Sequence, residues 1–502
     1  MVSQRLLMLA AITTLLAATV PFVLAQTASE ETLPPVRHPQ VGVCTHLRIW
    51  PVEKVIPLIA DSGAKWIRED FFWDRIEATK GTYRMPVHYA DWIERLHKEG
   101  LGIIAIINTG HEGNKLYEDP FDKAAFARFA AWFARETRGK VEAIEILNEP
   151  NNSNFMKRYG GVWNGNEKDG SVSPWIREYV DLVNVTARAI REANPDVKII
   201  GAGGGPMPAN FRGVALGIAP EVDGLTSHPY SPKTVPEIVP YAATLEILGR
   251  DGIATTDARG SFAEQMRAYR KHSRACSGPK EIWLTEWGYP TYVETKPGRS
   301  FFLGYTQRAQ AKYILRRLVE SLGVGIDVTV VYSFKDDHDR PNDAEANFGL
   351  VDYHLDPKLS YHAFRRCVRA LAPYRSVEAN PVDSRPLPSI RAEVFAIANR
   401  SDRHPVTWDG AKLESDGRIV TWTFADKTGN ALLALWSTER ADGDLTPVVA
   451  DVEISSARPL TRIEAYSPFE DKRYELKFTK NGTRHLIEKI QIPDSPLFLT
   501  FH

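Results

Sequence analysis

The chain of 502 residues is poor in cysteine, with three, and in methionine, with six. Three thiols (Cys44, Cys276 and Cys367) cannot all pair within one chain, which excludes a disulfide scaffold and allows at most one bridge. The chain also lacks a dominant sign of charge: 62 basic against 63 acidic residues leave a formal net charge of −1. That balance offers no electrostatic footprint for a nucleic acid or an anionic membrane, so neither is expected as a partner. After the first two dozen residues no apolar run is long enough to cross a bilayer. No G-x-G-x-x-G follows the first strand-like run, and no His-x-His or His-Glu-x-x-His occurs. The usual sequence signs of a dinucleotide site and of a zinc hydrolase are therefore missing, and no cofactor is called for.

What is present starts with "MVSQRLLMLAAITTLLAATVPFVLAQ", which has one early charge, Arg5, an apolar run from Leu6 to Leu24, and small residues before Gln26. This pattern predicts a signal peptide over 1–25 and a secreted or periplasmic protein. The run is also long enough for an uncleaved membrane anchor, which is the alternative. Hydrophobic residues make up 43% and charged residues 25%, ordinary for a soluble globular chain. Its length calls for two domains. The 12 Trp and 18 Tyr are mainly core material, with the remainder available to stack on a flat ligand such as a sugar ring.

From Val41 onward, short apolar runs alternate with helical patterns. The strand candidates are "VGVCTHL", "KWIREDF", "LGIIAIIN", "VEAIEILNEP", "VKIIGAG", "VDGLTSHPY", "EIWLTEWGY" and "DVTVVYSF". They are the near-continuous apolar runs of strands buried on both faces, which implies a parallel sheet. Eight such units over 38–375 suit a closed (β/α)8 TIM barrel better than an open doubly wound sheet. "GAGGGP" after the fifth run reads as a tight strand-to-helix turn. A Pro- and Ser-rich linker is expected over 376–390. Over 391–502, short alternating runs between turn signals predict a smaller, all-β, sandwich-like domain. Its Trp408, Trp422 and Trp436 suit packing against the barrel more than an independent sugar-binding module.

Active sites of such barrels lie at the C-terminal ends of the strands. There the fourth run reads "AIEILNEPN" and the seventh "LTEWGY", each placing a glutamate at the rim, Glu149 and Glu286. Two carboxyl groups facing each other across one rim can cleave a glycosidic bond: one protonates the leaving oxygen, and the other attacks the anomeric carbon or activates water. Asn148 can bond a sugar hydroxyl, and Pro150, having no N–H, ends pairing and turns Glu149 to the opening. Strand alternation points Glu145 inward as well, but about 13 Å deeper. It is expected to be structural, a buried carboxylate paired with a barrel Arg or Lys.

"ILNEPN" and "LTEWGY" resemble the two glutamate motifs of glycoside hydrolase clan A, the retaining (β/α)8 glycosidases. "WIREDFFWDRIEATKGTY", "LTSHPY" and "NFGLVDYHLDPKLSYHAF" resemble further clan segments in the same order. "NEPN", the His-x-Tyr of the sixth strand and the trailing β-domain are most similar to glycoside hydrolase family 39 and its relatives. The resemblance implies an O-glycosyl hydrolase of oligo- or polysaccharides, with Glu149 as acid/base and Glu286 as nucleophile. It also implies that Arg68 steadies the nucleophile and that His228 and Tyr230 stand near it. Trp287, beside Glu286 in the same motif, joins the substrate-binding set. The eighth strand departs from the pattern, reading "VYSFKDDHDR" where many clan members place a Trp.

Three further readings attach to loops. His111 in "NTGHEGN" ends the third strand and is placed at the sugar site. Phe155, Tyr159 and Trp163 in the loop 151–171 are candidates for a wall of outer sugar subsites. "KDDHD" has the composition of a metal site, but without ligand spacing no metal is assigned. The rival functions are a sugar-binding pseudoenzyme that keeps the cleft without turnover and, more remotely, a metal-dependent hydrolase. No protein partner is implied.

Overall fold

The computed structural model describes residues 35–502 other than 153, 297–298, 379–389, 397–404, 409–410, 415–418, 442–446 and 457–458. The signal-peptide segment and most of the expected linker lie outside the described residues. Eight parallel strands close into a barrel in sequence order. They are β1 (His38–Cys44), β2 (Ala64–Phe72), β3 (Gly102–Asn108), β4 (Ala143–Ile146), β5 (Lys198–Gly201), β6 (Gly224–Ser227), β7 (Glu281–Leu284) and β8 (Val328–Val331). Each predicted run overlaps its strand, although β1 begins ahead of its run and β2 extends past its run at both ends, and β1 pairs with β8 to complete the circle. The barrel interior is filled by Cys44, Ile104, Ala143, Ile200, Trp283, Val328 and Val330. The outward residues of the strands pack on the helices in a much larger cluster.

The helices follow from amphipathic spacing. In Lys123–Glu136 the apolar residues Phe126, Phe129, Ala130, Phe133 and Ala134 recur at helical intervals and are buried. Asp122 caps this helix by accepting from the Ala125 amide at 2.7 Å. Gln307–Gly323 differs, because even Lys312, Arg316 and Arg317 are buried in it. The reason is the second domain, which covers the face that would otherwise meet water.

That domain is antiparallel. A six-stranded sheet runs in the order Lys472–Glu475, Ile463–Ser467, Leu497–Phe501, Ala431–Ser437, Ile419–Ala425, Arg375–Ser376. A four-stranded sheet runs in the order Ile390–Ala396, Val448–Ser456, Arg484–Ile492, Thr479–Asn481. Arg375–Ser376, at the junction of the expected barrel and linker, thus already belongs to the second domain through pairing with Ala425 and Phe424. The strand "ALLALWS" is buried at every position. Its Leu433 and Leu435 face the sandwich core, whereas Leu432, Ala434 and Trp436 join the barrel's cluster. Polar groups lock the same junction. Arg316 pairs with Glu237, Trp436 Nε1 donates to Glu237 Oε1 at 2.7 Å, and Lys312 Nζ meets Asp494 Oδ1 at 2.6 Å. Trp422 is buried against the same barrel surface, and the side chain of Trp408 lies outside the described residues.

Truncation from residue 385 onward is therefore expected to yield insoluble barrel, since it strips the apolar cover from Gln307–Gly323 and leaves Lys312 without its buried partner. The soluble fraction of the expressed fragment checks this. A soluble fragment with full activity on small aryl glycosides would contradict it.

Candidate active site

The rim of the barrel brings together residues from β2, β4, β6 and β7. Arg68, on β2, stands at the centre. Its Nη1 donates to Glu286 Oε1 at 2.6 Å, its Nε to Glu145 Oε2 at 2.6 Å, and its Nη2 to Glu145 Oε1 at 3.1 Å and Asn148 Oδ1 at 2.8 Å. Glu145 is thus the structural carboxylate expected from its depth, held by the fork of a single arginine. Tyr230 Oη donates to Glu286 Oε2 at 3.0 Å. His228 Nδ1 lies 2.6 Å from Glu149 Oε1 and 3.6 Å from Glu286 Oε2. One oxygen of Glu149, one of Glu286 and a ring nitrogen of His228 all lie within 4.8 Å of one another. Asn148, Glu149, Glu286, Arg68, His228 and Tyr230 therefore form one constellation.

Their electrostatics differ by environment. Burial by itself would raise the Glu286 carboxyl, but the charges of His228 and Arg68, with hydrogen bonds from Arg68 and Tyr230, overcome it. The group is held below the usual carboxylate range and stands ionised. Burial likewise opposes a charge on His228, yet the Glu286 charge and the hydrogen bond with Glu149 raise it above an ordinary imidazole. Burial, then the Glu286 charge, push the Tyr230 hydroxyl well up, so it keeps its proton and donates.

Glu149 reaches the opening by a route that strand alternation does not describe. β4 stops at Ile146, and Leu147 and Glu149 then adopt positive φ of 61° and 39°. Such backbone is uncommon for residues with a side chain and costs about 1–3 kcal/mol each where surrounding contacts enforce it. These two residues, ahead of Pro150, make the turn. The glycines of "GAGGGP" make room for it. A Cβ on Gly203 would lie 1.7 Å from Thr226 O, and Gly204, at φ +79°, passes beside the Glu149 amide and the His228 ring.

Two predicted substrate contacts are placed elsewhere. Trp287 is buried in the layer between strands and helices, where its Nε1 donates to Thr329 Oγ1 at 2.8 Å. β7 has ended at Leu284, and with Glu286 turned to the mouth its neighbour turns to the opposite, helical side. His111 is exposed on the loop after β3, its carbonyl accepting from the Asn154 amide. It lines a cleft of about 890 Å³ with Arg48, Phe72, His88 and Lys115, and none of Arg68, Asn148, Glu149, His228, Tyr230 or Glu286 lines it. Of the outer aromatics, Phe155 is buried, and Tyr159 packs on it and donates to Asp119 at 2.8 Å. Trp163 is exposed. Two of the three acids of "KDDHD" are tied to neighbours: Asp336 binds Lys358, and Asp337 accepts from Trp50 and contacts His46, while Asp339 is exposed. Among the described residues the group able to offer a cation three ligands is instead Glu149, His228 and Glu286. The Arg68 guanidinium bonded to Glu286 opposes a cation there.

The structure adds residues that sequence reading did not single out. Tyr332, just after β8, brings an aromatic ring to this end of the barrel, 5.1 Å from Phe348, 5.7 Å from His46 and 6.5 Å from Tyr230. Its strand-end position was the signal available. Glu345 stands exposed at the mouth, yet the surrounding protein and the charges of Glu286 and Glu149 push it up to about 7. It comes from a loop after β8 and carries no pattern that sequence could reveal.

The fold and rim define a TIM barrel with two carboxylates facing each other at the C-terminal ends of β4 and β7. No protein-family model matches the chain, and no curated protein matches it. Among solved structures, a family 39 glycoside hydrolase from the gut symbiont Bacteroides cellulosilyticus WH2 aligns at TM-score 0.62 and 19% identity, over 96% of this chain and 83% of that one. The catalytic domain of GH30 xylanase C from Talaromyces cellulolyticus gives 0.48 at 11% identity, over 93% and 99%. Exo-β-1,4-mannosidase Op5Man5 from Opitutaceae bacterium strain TAV5 gives 0.46 at 18%, over 69% and 62%. The first likeness shows a shared fold, the one that the resemblance to family 39 implied.

Proposed function

We propose that the protein is an exported retaining glycoside hydrolase acting on O-glycosidic bonds of oligo- or polysaccharides. The observation that carries this reading is the approach of the Glu149 and Glu286 carboxyl oxygens within 4.8 Å. That spacing suits direct attack by one carboxylate and leaves too little room for the water that inversion requires. Glu286 attacks the anomeric carbon while the bond to the leaving oxygen breaks and Glu149 passes that oxygen its proton. Water then attacks the same carbon, gives a proton to Glu149, and releases Glu286. Arg68 and Tyr230 keep Glu286 ionised and aimed. The Asn148 amide NH2, its oxygen being occupied by Arg68, is the donor offered to a sugar hydroxyl.

Incubation with 2-deoxy-2-fluoro aryl glycosides of a panel of sugars, followed by mass spectrometry of the digest, tests the proposal. A mass increment of one glycosyl group on the peptide containing Glu286 is expected; hydrolysis of aryl glycosides without any such adduct would refute the double displacement. The Glu149–His228–Glu286 triad keeps a metal-dependent hydrolase as the second reading. Unchanged turnover after dialysis against a chelator removes it.

The pH profile follows from the shifts. Glu286 must be ionised, and its pKa is depressed, so kcat/KM should hold as pH falls to 4.5 and decline only below it. The acid proton sits at the Glu149–His228 contact, and His228 is raised above 6.5, so the alkaline limb should lie above that value. An acidic limb centred above 4.5, measured with an aryl glycoside, would contradict the assignment.

A further inference from the structure

We infer that Thr285 is a positioning residue of the hydrolase: clamped by Glu145, it fixes the tautomer of His228 and so keeps a proton between His228 and Glu149. The inference rests on the proposed hydrolase reading and extends it to a residue outside the two carboxylates. Its basis is a count of protons along a buried chain. Glu145, paired with Arg68 through both oxygens, is ionised and only accepts. Thr285 Oγ1 lies 3.0 Å from Glu145 Oε1 and 3.1 Å from His228 Nε2, and the residue is fully buried. A hydroxyl has one hydrogen. Were it given to His228, two oxygens would face each other at 3.0 Å with no proton between them, in a place closed to water. Thr285 therefore donates to Glu145 and accepts from His228, and the imidazole carries hydrogen on Nε2.

The consequence falls on the other ring nitrogen. With Nε2 protonated, a neutral ring presents the Nδ1 lone pair to Glu149 Oε1 at 2.6 Å. A contact so short between two potential acceptors holds one proton, either as the Glu149 acid donating to Nδ1 or as imidazolium facing carboxylate. That proton is the one the leaving group receives. Charged groups facing the ring are Glu149, Glu286 and Arg68; the first two favour the proton, and Arg68 opposes it. In the other tautomer Nδ1 would bring its own hydrogen, and Glu149 would meet it as a carboxylate with nothing to give.

Thr285→Val keeps the shape and removes the hydroxyl, and Thr285→Ser keeps the hydroxyl. With Thr285→Val, kcat/KM on a phenyl glycoside should fall by about tenfold to a hundredfold, part of the full worth of a general acid. On the 2,4-dinitrophenyl glycoside of the same sugar, which needs no protonation, it should change less than threefold, on the order of the noise for a lost neutral contact. The alkaline limb should move to lower pH, and Thr285→Ser should restore both. Equal losses on the two substrates, an unmoved alkaline limb, or failure of Thr285→Ser to restore would overturn the inference while leaving the hydrolase reading intact. A readout independent of turnover is 15N NMR of histidine-labelled protein, with His228→Gln for assignment. A ring signal of the Nε2–H form, or of the doubly protonated ring, is expected for His228, and the Nδ1–H form would overturn the inference. Absence of glycosidase activity with the expected NMR signal would instead count against the hydrolase reading alone.

Discussion

Glu286→Ala is expected to end both turnover and covalent trapping, while Glu149→Ala should stall the enzyme after its first step. Without Glu286 the nucleophile of the proposed mechanism is gone, and Arg68 and Tyr230, which hydrogen-bond it, orient it without replacing it. Without Glu149 the leaving oxygen loses its proton donor, and substrates with poor leaving groups should slow by about 10²–10⁴-fold. An activated aryl glycoside should still form the glycosyl-enzyme and then wait, because no base activates water. Azide needs no base and fits the space of the lost side chain. It should rescue Glu149→Ala with a product of retained configuration, and Glu286→Ala with the inverted product. Opposite stereochemistry in the two rescues would mean that the carboxylates have been assigned the wrong way round. If neither substitution affects turnover, these glutamates are not the catalytic pair.

Arg68→Met should cost both stability and activity, and the two losses should separate in a double variant. The guanidinium is the ion partner of Glu145, which is 1% exposed, so its removal strands a buried carboxylate at a cost of about 3–5 kcal/mol. Adding Glu145→Leu removes the stranded charge, and denaturant unfolding should show most of the stability returning. Activity should not return with it, because Glu286 still lacks its arginine partner and Thr285 has lost the acceptor that clamps it. Recovery of kcat in the double variant would show that Arg68 serves the barrel core and not the nucleophile.

Glu149 and Glu286 were legible because they follow strands whose apolar runs announce them, whereas Arg68, His228 and Tyr230 came from the resemblance to clan A and not from any local pattern. Arg68, Glu149, Glu286, His228 and Tyr230 converge as strand order in a closed barrel requires. Trp287 entered the substrate-binding set as Glu286's neighbour in the motif, whereas a period of two puts it on the opposite face, the helical side on which it is buried. Strand alternation carried past β4 aimed Glu149 inward for an incomplete reason. Its direction comes from positive φ at Leu147 and Glu149, a conformation that neither residue type favours and that only packing enforces. His111 lies outside the constellation, and a loop carries no periodicity from which its direction could be read.

By itself the sequence determined the eight-strand alternation, the trailing β-domain, the two rim glutamates and the depth of Glu145, because burial on both faces, turn chemistry and strand rise are local properties of a short segment. Only the tertiary structure decided that one arginine would join Glu145 to Glu286, that Thr285 would stand between Glu145 and His228, and that the helix Gln307–Gly323 would be buried on every side from Ala309 onward. Each of these depends on distances between segments far apart in the chain, set by how the closed sheet and its covering domain pack, and no local pattern encodes such a distance.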